Sequence, residues 1–216
     1  MERWAKRTGP RAMRRRLGAI AIGAFVTLAL TGTALASDAA AADGPTIEDA
    51  HRIVAAALAD ECPLATGERS DSPPVEAHAF EHVDADGRHA MQTLFSVPCD
   101  LYAYQGSVAF VLADEYGALR LLAFPVPSLD VAYKDSESNV LEAMRIDGYT
   151  ATLTLVEGTF DAQSATVTQA VKWRGLGDAA AVSSWNFDGR NFRLRSYEVD
   201  PTFDGKLQLL PVYPVP

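Results

Sequence analysis

The chain has 216 residues, 48% of them hydrophobic, with 28 acidic against 19 basic side chains and a formal charge of −9 at neutral pH. An acidic surface repels phosphate backbones and anionic headgroups, which argues against a nucleic-acid-binding protein. Two cysteines without CxxC spacing argue equally against a zinc ribbon or a dithiol redox centre.

The chain opens on a basic head ending in Arg14-Arg15-Arg16, followed by an uncharged apolar run from Leu17 to Leu35 and by Ala34-Leu35-Ala36. This order predicts a signal peptide over residues 1–36, cleaved after Ala36 or after Ala42. The apolar run is long enough to be weighed as a retained anchor, but Gly18, Gly23, Thr27, Thr31, Gly32 and Thr33 dilute it. No stable membrane insertion is therefore expected after cleavage, and the address is periplasmic or secreted. The arginines allow either the general or the twin-arginine route. Removing residues 1–36 takes seven of the 19 basic residues and one of the 28 acidic ones, which leaves 12 against 27, a balance of −15. That balance favours a cationic partner.

Residues 37–45 read as a flexible spacer, and residues 46–216 as a single, mostly β (α+β) domain with one short N-terminal helix. Thr46 and Asp49 stand at capping-box spacing, and Ile47, Ala50, Ile53, Val54, Ala57 and Leu58 recur at helical intervals as far as Cys62-Pro63. In an oxidising compartment Cys62 and Cys99 read most simply as one disulfide, which by loop entropy would stabilise by about 3 to 4 kcal/mol.

Beyond Pro74 the periodicity moves toward two. Asp86-Gly87, Asp147-Gly148, Asp188-Gly189 and Asp204-Gly205 are hairpin cues, with Tyr116-Gly117 as a further turn. Antiparallel hairpins and meanders are expected, with strands over 90–97, 107–113, 118–124, 140–146, 151–156, 165–173, 182–187 and 190–197. The polar stretch 128–139 reads as a connector, and the Pro-rich tail from Pro211 as an edge strand or a frayed end. A two-residue turn at Asp188-Gly189 would set Phe187 opposite Arg190 and Trp185 opposite Phe192. Trp185, Phe192 and Leu194 would then face the core, and Asn191, Arg193 and Arg195 the solvent.

Trp173-Arg174-Gly175-Leu176-Gly177-Asp178, followed by the Trp185-to-Leu194 hairpin, resembles the C-terminal signature of a bacterial exported family known as domain of unknown function 1176. Leu94 to Cys99 with Tyr102-Ala103-Tyr104 is similar to that family's upstream Val-Pro-Cys element. Ala179 stands where the family has a cysteine, so a C-terminal disulfide is absent, while Cys62 and Cys99 can keep an N-terminal one. The resemblance implies an exported protein and a fold; it implies no activity.

Three patterns bear on chemistry. His78-Ala79-Phe80-Glu81-His82 matches H-x-x-E-H, in which two histidines one helical turn apart bind zinc beside a general base. The neighbouring turn and β pattern place it on a strand instead, where residues 78 and 82 stand about 13 Å apart. On the following hairpin His89 would face His82 across a four-residue loop, or Asp84 across a two-residue turn. His78, His82 and His89 are thus weak metal candidates. Gly175 to Ala180 fits a relaxed dinucleotide fingerprint, but no amphipathic helix follows and Asp178 would repel a pyrophosphate. Arg174 and Asp178 read instead as an ion pair bracing a turn, structural by default.

No catalytic residue and no cofactor is implied. The expected role is a non-enzymatic envelope module that binds a protein or a glycan; the alternatives are a zinc-dependent hydrolase using His78, Glu81 and His82, or an inhibitor of a basic envelope enzyme.

Overall fold

A computed structural model describes residues 44–67, 72–83 and 86–214. The expected signal peptide and residues 37–43 of the expected spacer lie outside them. Among the described residues one helix, α1 (Ile47–Ala57), precedes twelve strands: β1 (Glu76–Val83), β2 (His89–Leu101), β3 (Gly106–Ala113), β4 (Leu119–Leu121), β5 (Phe124–Tyr133), β6 (Leu141–Thr152), β7 (Thr154–Val156), β8 (Thr159–Asp161), β9 (Thr166–Lys172), β10 (Ala180–Phe187), β11 (Phe192–Asp200) and β12 (Leu210–Tyr213). Every strand pairing is antiparallel.

The helix starts as its sequence dictates. The Asp49 amide donates to Thr46 Oγ1 at 3.2 Å, and the Thr46 amide donates to the Asp49 carboxylate at 3.1 Å, so a reciprocal box satisfies the first orphan donors. Its buried stripe, Ala50, Val54 and Leu58, packs on a first sheet ordered β1-β2-β3-β4, in which β7 also pairs with the start of β3. A second sheet, β12-β11-β10-β9-β8, covers the opposite face.

This layering explains why β2 and β3 lack polar alternation. In β2 and β3 Phe95, Val97, Ala109, Val111 and Ala113 face the helix side, whereas Leu94, Phe110 and Leu112 face the second sheet. With both faces buried, both parities are apolar. Cys62 and Cys99 form a disulfide that joins the turn after α1 to the end of β2, and both are fully buried.

The β5–β6 ribbon differs from expectation in two places. Residues 128–133, expected to be connector, continue β5. Its polarity reflects a two-stranded ribbon with much of its surface in water: beyond Phe124 and Val126 at its start, residues such as Leu129, Met144 and Ile146 reach a core. Asp147-Gly148 makes no turn: the register runs Ser128 to Gly148 and then Leu129 to Ile146, leaving Asp147 as an extra residue inside one continuous strand. A β-bulge there serves the sequence better than a hairpin, because the ribbon partner β5 is already in place. The glycines of the other three Asp-Gly pairs, and Gly117, do adopt positive φ.

The β10–β11 hairpin turns over four residues, not two. Asp188 accepts from the amides of Arg190 (3.0 Å) and Asn191 (2.7 Å), which widens the turn and pairs Phe187 with Phe192 and Trp185 with Leu194. The slip is by two positions, so every side chain keeps its face. Trp185 and Phe192 are buried in the core, and Arg193 and Arg195 remain exposed. The tail forms β12 at the edge of the second sheet, where Pro211 is tolerated.

Candidate functional site

Two loops and a turn from distant parts of the chain converge at one end of the sheets. The β2–β3 turn, Tyr102 to Gln105, closes with the Tyr102 amide donating to the Gln105 carbonyl at 2.7 Å. The Gln105 side chain is buried and bonds the end of β9, accepting from the Lys172 amide at 3.2 Å and donating to the Ala170 carbonyl at 3.5 Å. This clamp sets the Tyr104 ring over Gly175 of the β9–β10 loop, where an added Cβ would lie 3.5 Å from the ring.

The β9–β10 loop is held by a charged brace. Arg174 and Asp178 form a bidentate pair, with Nε donating to Oδ1 at 2.7 Å and Nη2 to Oδ2. Nη2 also donates to the Phe203 carbonyl at 2.9 Å, the guanidinium stacks on the Phe203 ring, and the Gly205 amide donates to Asp178 Oδ2 at 2.8 Å. The Asp178 side chain is 2% exposed and the Arg174 side chain 42%. The brace therefore ties the β9–β10 loop to the loop before β12. Each charge is saturated by the other and by backbone, an arrangement that holds shape and offers no free acid or base.

The hydrogen bonds from Arg174 hold the Asp178 carboxyl well below the usual carboxylate range, against the opposing effect of burial. A depressed folded pKa contributes stability that is complete above the unfolded value of about 3.9 and is lost as the pH falls below it. Asp178→Asn should thus lower Tm at neutral pH and flatten the acid branch of Tm against pH below about pH 4. Parallel acid branches for the two proteins would mean that the pair contributes nothing there.

What the brace presents is apolar. Tyr102, Tyr104, Trp173 and Leu176 are all exposed, Leu176 at 71%, and Trp173 leans on Phe203 with ring centroids 6.4 Å apart. Rigid rings on a braced loop are suited to stacking against a sugar face or an apolar side chain. Reading the sequence picked out Arg174 and Asp178 but missed Gln105, Phe203 and Gly205. The Asp204-Gly205 turn signal marked the neighbourhood of the last two, and the Tyr102-Ala103-Tyr104 motif that of Gln105.

The histidines are distributed elsewhere. His78-to-His82 lies on β1, so His78 and His82 share the face of Phe80 and pack edge-on against Phe160 and Phe187 at 5.7 and 5.2 Å. Glu81 points to the other side and meets His89 Nδ1 at 2.7 Å. The helical geometry needed by the H-x-x-E-H reading is not formed. Neither hairpin register proposed for His89 occurs: Val83 faces His89, and His82 faces Ala90. Among the described residues no group of three His, Cys, Asp or Glu side chains is placed to hold a metal ion.

Fold and site together define a disulfide-stapled antiparallel β protein, helix-backed on one sheet, that displays aromatic side chains on braced loops. The chain belongs to the family described as Protein of unknown function (DUF1176), whose model matches residues 81–208. It is also 42% identical over 52 residues to the uncharacterized protein YpfG of Escherichia coli, a stretch covering 24% of this chain and only 15% of that protein. No solved structure matches. The family match includes Tyr104, Trp173, the Arg174–Asp178 brace and Phe203, and leaves out α1, Cys62 and His78. Among the described residues no helix is long and apolar enough to cross a membrane.

Proposed function

We propose that this chain is an exported envelope protein that works by binding, and that the Tyr104, Trp173 and Leu176 face is its contact surface. The observation that carries this reading is the exposure of those side chains on loops braced by the Arg174–Asp178 ion pair and a buried glutamine. Pre-organised aromatic anchors lose little entropy on binding, and aromatic residues are enriched at binding hot spots. The signal-like residues 1–36 and the Cys62–Cys99 disulfide support an oxidising, extracytoplasmic address. The partner is an envelope protein or a glycan, and the acidity of the chain favours a cationic one.

Pull-down from an envelope extract tests it, with Tyr104→Ala and Trp173→Ala beside the wild type. Loss of capture by more than about tenfold in either variant, with unchanged unfolding midpoint, is expected. Wild-type capture by the double variant would overturn the assignment of the face. Sequencing the N-terminus of exported protein should read from Ser37 or from Asp43; an intact Met1 would overturn the cleavage.

A further inference from the structure

Where β1 and β8 flank the open end of the two sheets there is a cleft of about 240 Å³, walled by Pro73, Pro74, Pro98 and Phe160 over a floor of Val108. A second cavity of about 190 Å³ shares Pro73, Pro98, Val108 and Gly158 with it and runs on toward Gly106 and Glu157. Gly158 shapes the wall: a Cβ there would lie 2.7 Å from Val108 Cγ1 and 2.9 Å from Leu155 Cβ, so no larger residue fits.

Each cavity is smaller than the roughly 300 to 1,000 Å³ usual for a small-molecule site, and is closer to the scale of an inserted side chain. Its chemistry is specific. The walls are apolar, while carboxylates line it from different strands and loops: Glu76 in the first cavity, beside His78 Nε2 at 3.4 Å, and Glu157 in the second, with Oε1 accepting from the Gly106 amide at 2.6 Å. Among the described residues no Lys or Arg lines either cavity. Both carboxylates are solvent-exposed, so an anion would be repelled by them and a purely apolar group would make no use of them. A lysine or arginine side chain satisfies both features, because its methylene stem packs on proline and phenylalanine while its head reaches a carboxylate.

The geometry points to this cleft as a receptor for a lysine or arginine side chain presented by a basic protein partner. The charge of the chain beyond residue 36, 12 basic against 27 acidic residues, draws such a partner toward it. The second cavity ends at Leu101, Gly106 and Ser107, next to the turn that carries Tyr102 and Tyr104, so this inference rests on the proposed binding role and names the chemistry of the partner.

The test is a titration of the isotopically labelled protein from residue 43 onward, followed by NMR. The probes are a blocked alanine-rich pentapeptide with one central lysine and the same peptide with that lysine acetylated. Saturable shifts at Glu76, His78, Val108 and Phe160 are expected with the lysine peptide. Acetylation, or the volume-preserving pair Glu76→Gln with Glu157→Gln, should weaken binding at least tenfold. Equal binding of the acetylated peptide, unchanged affinity in the Gln pair, or shifts confined to the Tyr104 and Trp173 loops would each overturn the cleft assignment. In the envelope pull-down, capture retained by the Gln pair but lost by Trp173→Ala would also sink the cleft and leave the aromatic face standing.

Discussion

Replacing Cys62 and Cys99 together by alanine should cost the folded protein about 3 to 4 kcal/mol, which for a domain of this size lowers Tm by roughly 8 to 15 °C. The bridge spans a sequence separation of 37 and joins the turn after α1 to the end of β2. Much of its effect lies in the unfolded chain, whose freedom it restricts. Part of it is native and local. The Leu64 amide donates to the Cys99 carbonyl at 3.0 Å, and Cys62 and Cys99 are themselves members of the cluster that holds Ala50, Val54 and Leu58 against the first sheet. Without the bridge α1 is held to the sheet by a short apolar stripe and the Leu64–Cys99 backbone bond, so faster amide exchange should appear first in α1. Denaturant unfolding with and without the alanine pair measures the loss; a difference under about 1 kcal/mol would contradict the loop-entropy account.

Trp185→Ala should cost about 3 to 5 kcal/mol, the range for removing a large buried aromatic. Trp185 is fully buried on β10, its ring lies 5.3 Å from that of Phe124, and its Nε1–H donates to the Pro125 carbonyl at 2.8 Å. It therefore bolts the second sheet to the β5–β6 ribbon. Alanine leaves a cavity and also an unsatisfied carbonyl, and both penalties act together. Trp185→Phe keeps most of the packing and loses only the hydrogen bond, so it should fall well short of the alanine loss. Midpoints of guanidinium unfolding at constant slope separate the two effects. Equal losses for the two variants would show the hydrogen bond, rather than the volume, to be decisive.

The elements that could be read directly were those whose chemistry is local. Thr46 and Asp49 cap α1 three residues apart, Asp188-Gly189 turns a hairpin with its aromatic face inward, and Pro211 keeps β12 to an edge. Arg174 and Asp178 pair across four residues, near enough for sequence spacing to suggest it. The readings that failed each required a partner not visible nearby. Residues 128–133 looked like connector because their burial comes from β11 and β12 residues such as Val199 and Val212, far along the chain. Asp147-Gly148 looked like a turn because a bulge and a turn share the same residues, and only the paired strand decides between them.

By itself, then, the sequence determined the class of fold, the family, the helix cap, the disulfide partners and the inward face of the last hairpin, since each follows from spacing, alternation or the chemistry of a few neighbouring residues. The tertiary structure alone decided that Tyr104 lies over Gly175, that Phe203 and Gly205 complete the brace, and that Glu76 and Glu157 line adjoining cavities. Those placements arise because β2 and β3 must bury both faces at once, one under α1 and one under the second sheet. That demand brings remote loops to a common end, and no local pattern encodes it.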